Sequence, residues 1–121
     1  MHLIITRAAL AAVLAISLAH GASAHAHLRN CVPAVGSTGA APAELSCAFT
    51  EALEPDFTTV VLHDAGGKPV TTGALHLAAG DAKRVVVGLP ALPAGTYTVI
   101  WHATSVDTHK TEGSFTFTVA P

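Results

Sequence analysis

Asp107 and His109 stand two residues apart, and His25 directly follows Ala22-Ser23-Ala24. Side chains at i and i+2 of an extended chain leave from one face, so this D-x-H pair presents a carboxylate oxygen and an imidazole nitrogen together. Ala22-Ser23-Ala24 is a small-x-small cleavage signature, and a cut after Ala24 makes His25 the first residue of the mature chain. The free α-amine and Nδ1 of that residue can chelate one ion. Three nitrogens and one oxygen form the kind of tetragonal set that suits Cu(II), which also heads the affinity order of the divalent first-row ions. The expected metal site is therefore His25, Asp107 and His109, with one Cu(II) per mature chain.

The same stretch supplies a competing site. His25-Ala26-His27 has a free amine with a histidine in third position. Such a tripeptide can wrap Cu(II) or Ni(II) in a plane through the amine, two deprotonated backbone amides and His27. A cut after Ala26 is also conceivable, because Ala24-His25-Ala26 is itself small-x-small, and it would expose His27 instead. The chain has eight histidines, of which His2 and His20 precede the cut. His63, His76 and His102 read as surface residues, with His102 close in sequence to the D-x-H pair.

Residues 1–24 have one charged side chain, Arg7, followed by an apolar run over 8–19. That run falls short of the roughly 20 residues needed to span a bilayer, so the segment reads as a secretory signal peptide rather than an anchor. The expected domain is residues 25–121, located in the periplasm. Without Arg7 it carries five basic and eight acidic side chains, a formal −3. It has no basic run, which argues against a nucleic-acid partner, and no further apolar stretch that would insert in a membrane. Cys31 and Cys47 are the two cysteines. In an exported chain they are candidates for a disulfide, worth about 3 kcal/mol for a loop of this size; the other reading is a pair of thiolate metal ligands, whose spacing is not that of a zinc or Cu(I) knuckle. Met1 is the sole methionine, so the mature chain has no thioether for Cu(I).

The elements that must position these residues read as strands. Val, Thr, Phe and Tyr alternate with period two between Gly, Pro and Asp punctuation, over 28–32, 44–50, 57–64, 74–77, 84–89, 95–105 and 113–119. Seven short strands suggest an all-β, two-sheet antiparallel sandwich of immunoglobulin-like type. The alternation puts Tyr97, Val99, Trp101 and Ala103 on one core face, joined by Phe115, Phe117 and Val119 and by Leu45, Cys47 and Phe49. His102 falls in the opposite phase and points outward.

Read in order, these blocks resemble the CopC family of copper-resistance proteins. Ala24-His25-Ala26-His27-Leu28 with Pro33 and Gly36-Ser37 is similar to the family's mature start, and 45–51 to its strand ending in Phe-Ser/Thr-Glu. The most specific likeness is Gly95-x-Tyr97-x-Val99-x-Trp101, then Ser105-Val106-Asp107-Thr108-His109-Lys110, Gly113 and Phe115-x-Phe117-x-Val119. The resemblance implies a seven-stranded Greek-key β-barrel or sandwich, and a periplasmic copper carrier with Cu(II) ligands at His25, Asp107 and His109. It also implies a membrane copper importer of the CopD type as partner. Some relatives carry a methionine-rich Cu(I) site that this chain lacks, and the Cys31–Cys47 pair is not a feature of the best-known members. Two other readings stand beside this one. A copper monooxygenase also holds its metal with an N-terminal amine and two imidazoles, but needs an extended, aromatic substrate face that so small a domain has little room for. A structural sandwich with incidental histidines is the third. The expectation is a binding protein, not an enzyme.

Overall fold

A computed structural model describes residues 26–121, so the leader, its cleavage point and His25 lie outside the described residues. Nine strands run β1 Leu28–Val32, β2 Thr38–Gly39, β3 Glu44–Phe49, β4 Thr59–His63, β5 Pro69–Val70, β6 His76–Ala78, β7 Asp81–Gly88, β8 Gly95–Thr104 and β9 Lys110–Val119. The seven expected strands are the seven of three residues or more, with ends shifted by a few positions. The largest shifts are at β7, which starts at Asp81 rather than 84, and at β9, which starts at Lys110 rather than 113 and so begins immediately after His109. Residues 55–57, which reach the start of the expected third strand, form a 3-10 turn instead, started by Pro55.

The strands form two sheets, ordered β1-β3-β7-β6 and β2-β9-β8-β4-β5. Apart from the two-residue strands β2 and β5, this is the strand order of an immunoglobulin-type sandwich. The pairing is antiparallel except that β2 runs parallel to β9, Thr38 opposite Thr118. The chain thus switches sheets between β1 and β2 and closes the edge beside β9. Tyr97, near the start of β8, donates its hydroxyl to the carbonyl of Pro93 at 2.6 Å. This contact is the tyrosine corner found in many such sandwiches.

Alternation sets the core. Tyr97, Val99, Trp101 and Ala103 of β8 are buried, as are Phe115, Phe117 and Val119 of β9, and Leu45, Cys47 and Phe49 of β3. Trp101 meets Phe49 edge-on at 5.2 Å between ring centroids, bridging the two sheets. Its indole also lies over Gly113, its register partner on β9; a Cβ at Gly113 would come within 2.6 Å of the ring. Cys31 and Cys47 are direct partners in the β1–β3 register and form a disulfide with Cα atoms 4.0 Å apart. The link ties the edge strand β1 to its one sheet neighbour.

Candidate metal site at the open end of the sandwich

Asp107 and His109 lie in the connection between β8 and β9, not on extended chain as their spacing suggested. The amide of Ser105 donates to the carbonyl of His109 at 2.9 Å, and the amide of Thr108 donates to the carbonyl of Ser105 at 2.8 Å. Thr108 has φ 73°, the one non-glycine residue with positive φ among the described residues. A tight turn followed by a left-handed residue is a common three-residue hairpin connection. It is an unusual place for a β-branched side chain, and such outliers cost about 1–3 kcal/mol and cluster at functional sites. The turn still brings the two donors together: His109 Nδ1 is 3.2 Å from Asp107 Oδ2.

The Ser105 hydroxyl, in a buried residue, donates to Asp107 Oδ1. That hydrogen bond holds the Asp107 carboxyl below its ordinary value, with smaller help from His109. Asp107 is therefore ionised and oriented without any ion present. Two donors at right angles, each about 2.0–2.2 Å from a first-row ion such as zinc, stand roughly 3 Å apart. The observed separation fits neighbouring positions on one metal.

Two further segments are fastened against this turn. The first is the start of the described chain. Ala26 is fully buried, and its carbonyl accepts the hydroxyl of Thr111 at 2.7 Å. The amide of His27 donates to Thr50 Oγ1 at 2.8 Å, and the amide of Thr50 donates back to the carbonyl of His27 at 2.9 Å. Residue 25 is one Cα step of 3.8 Å from this anchor. Thr111 in turn is two residues from His109, roughly 7 Å of extended strand. The second segment is 50–58. The amide of Val106 donates to the carbonyl of Ala52 at 3.0 Å and that of Glu54 to Thr104 at 2.9 Å, while Leu53 forms an isolated bridge with Ser105. Glu51 stands between Thr50, which holds His27, and Ala52, which holds Val106. The fold thus brings a further carboxylate-bearing residue to the same end. Its membership could be read from sequence only as the last residue of a strand motif.

His27 contributes its backbone to this anchoring, and that bears on the tripeptide alternative. Planar binding by the tripeptide requires the His27 amide to lose its proton, yet in the fold that proton is donated to Thr50. Among the described residues no three His, Cys, Asp or Glu side chains stand close enough to hold a metal. Asp107 and His109 supply two donors, and the third expected ligand, His25, lies outside the described residues. Both cysteines are consumed by the disulfide, which removes the thiolate-pair reading.

The fold and this end of it define a class: a small immunoglobulin-like sandwich that assembles a nitrogen and oxygen donor set where a strand hairpin meets the start of the domain. The chain belongs to the CopC family; the CopC domain matches residues 28–120. It is 37% identical over 123 residues to copper resistance protein C of Escherichia coli, covering 96% of this chain and 98% of that protein. It is 42% identical over 105 residues to copper resistance protein C of Pseudomonas syringae pv. tomato, covering 81% and 82%. Among solved structures it resembles PcoC of Escherichia coli, described as a methionine-rich copper resistance protein, with TM-score 0.73 and 36% identity over 79% of this chain and 99% of that one. It also resembles CopC of Methylosinus trichosporium OB3b, with TM-score 0.75 and 28% identity over 80% and 95%. These relatives are named as copper-resistance or CopC proteins, not as enzymes.

Proposed function

We propose that the protein is exported to the periplasm, cleaved after Ala24, and there binds one Cu(II) through the His25 amine and Nδ1, Asp107 and His109. Its role in this reading is copper homeostasis or resistance: it sequesters the ion, or delivers it to a membrane copper transporter of the CopD type. The observation that carries the reading is the hydrogen bond from Thr111 to Ala26. It fastens the residue next to His25 to β9, the strand that begins just after His109, and so supports a terminus close to the D-x-H turn.

Chemistry supports the choice of ion. Imidazole, amine and carboxylate donors suit Cu(II), whereas the soft donors that favour Cu(I) are absent from residues 25–121 apart from two disulfide-bonded cysteines. In this respect the chain departs from its methionine-rich relative.

The test is copper titration of the mature protein after its first residue has been fixed by intact mass. A start at His25 is expected, since a start at Ala26 or His27 removes the site. Copper bound only by the native state stabilises it by RT ln(1 + [L]/Kd), about 2.7 kcal/mol at a hundredfold excess over Kd. The expected result is a copper-dependent rise in melting temperature that Asp107→Ala or His109→Ala largely abolishes and His27→Ala does not. If His27→Ala removes binding while the other two variants keep full affinity and the same spectrum, the ion sits on the tripeptide and this assignment is wrong.

A further inference from the structure

The outer face of the β2-β9-β8-β4-β5 sheet has a second imidazole and carboxylate pair, outside the site just described. His102 on β8 and Glu112 on β9 are register partners. His102 Nε2 lies 3.3 Å from Glu112 Oε1, with side chains 57% and 75% exposed. The separation is close to that of Asp107 and His109 and suits the same right-angled placement on one ion. Open space adjoins the pair on both sides. Toward the hairpin a groove of about 440 Å³ is lined by Phe57, Thr59, Thr104 and Lys110 as well as the pair. Away from it a hollow of about 300 Å³ is lined by Ile100, Gly113 and Ser114 together with the pair. An ion held by the two side chains would keep open coordination positions on both flanks.

The two sites cannot share ligands. Thr111 reaches inward to Ala26, and its neighbour Glu112 leaves β9 on the opposite face. Along the strands, His102 and Glu112 lie two register positions from Thr104 and Lys110, where the ladder ends, or roughly 7 Å. The pair is thus a short step from the D-x-H turn, and its carboxylate is the more exposed, 75% against 43% for Asp107.

We propose that His102 and Glu112 form a second, weaker Cu(II) site on this outer face, an entry or exit position next to the main one. Two donors instead of four make it weaker, and the Lys110 ammonium in the adjoining groove weakens it further by repelling a cation. Nitrogen and oxygen donors select Cu(II) here for the same reason as at the turn. A weak, open position near a tight one lets an incoming ion be held, and a departing ion be presented, while other ligands are exchanged.

The experiment is Cu(II) titration of the mature protein past one equivalent in a non-coordinating buffer, followed by electron paramagnetic resonance, in a His27→Ala background that removes the tripeptide. The expected result is a second Cu(II) bound more weakly than the first, with dipolar broadening in the doubly loaded form because the ions are close. His102→Ala and Glu112→Gln should each weaken the second equivalent by roughly tenfold or more, since the loss of even supporting residues at metal sites costs 10–100-fold, and leave the first unchanged. Asp107→Ala and His109→Ala should do the reverse. A second equivalent retained at full affinity in the His102→Ala/Glu112→Gln double variant, or missing from the parent, overturns the proposal and leaves a surface ion pair. Loss of the first site's assignment would show separately, as tight binding that survives Asp107→Ala and His109→Ala.

Discussion

Thr111 and Ala26, 85 residues apart in sequence, are joined by a 2.7 Å hydrogen bond from the threonine hydroxyl to the alanine carbonyl. Thr111 is not a metal ligand in the proposed site, yet it holds Ala26, the first described residue, against β9. Replacing it with valine keeps the shape and removes the donor, leaving a buried carbonyl unsatisfied. Thr111→Val should destabilise the apo protein by about 1–3 kcal/mol, the usual penalty for such a group. It should also weaken Cu(II) binding although every ligand is present. Thermal melts with and without copper measure both, and unchanged affinity would mean that the anchor does not position His25.

Ser105 and Asp107 give a pH signature. The Ser105 hydroxyl lowers the Asp107 carboxyl from its ordinary 3.8, with His109 adding to the effect. A carboxyl with a depressed folded-state value binds fewer protons in the native state than in the unfolded one. Its contribution to stability is present above the unfolded value and is lost as the pH falls through the lower folded one. Ser105→Ala should move the Asp107 titration, followed by carboxyl-resolved NMR, back toward 3.8. Copper affinity between pH 5 and pH 7 should not depend on this carboxyl, because Asp107 is already ionised there. An Asp107 titration that does not move in Ser105→Ala would place the cause of the shift elsewhere.

The disulfide acts on the fold more than on the site. Cys31 and Cys47 tie β1, an edge strand, to β3. The Cys31→Ala/Cys47→Ala variant should lose about 2–4 kcal/mol in urea denaturation. Copper binding at 25 °C should persist, because Ala26 and His27 keep their own hydrogen bonds to Thr111 and Thr50. Equal stability of the two proteins would show that packing alone holds the edge strand.

Gly113 is constrained by the ring that covers it. An added Cβ would lie 2.6 Å from Trp101 Cζ2 and 2.9 Å from Cε2. Gly113→Ala should therefore push the indole against Phe49 and cost about 1–3 kcal/mol, the range for overpacked cores, with a changed near-ultraviolet circular dichroism spectrum. A spectrum and melting temperature like the parent's would mean that the ring moves aside freely.

Much of this was legible in the residues. Period-two alternation placed the long strands and their core faces, because one side of each strand must be buried and no other spacing serves that. Two cysteines leave one intramolecular pairing. The D-x-H spacing marked two donors that meet, but not how. Side chains two apart converge on an extended strand and also across a tight hairpin turn, and sequence spacing does not separate the two. Only the tertiary structure shows the turn, with Thr108 at a positive φ that local propensity assigns to glycine or asparagine, imposed here by the closing of β8 on β9. The same holds for the bonds from Thr111 to Ala26 and between Thr50 and His27, and for the pairing of His102 with Glu112. Those contacts join segments remote in sequence. They depend on strand register and on how the two sheets close at one end, which no local pattern encodes.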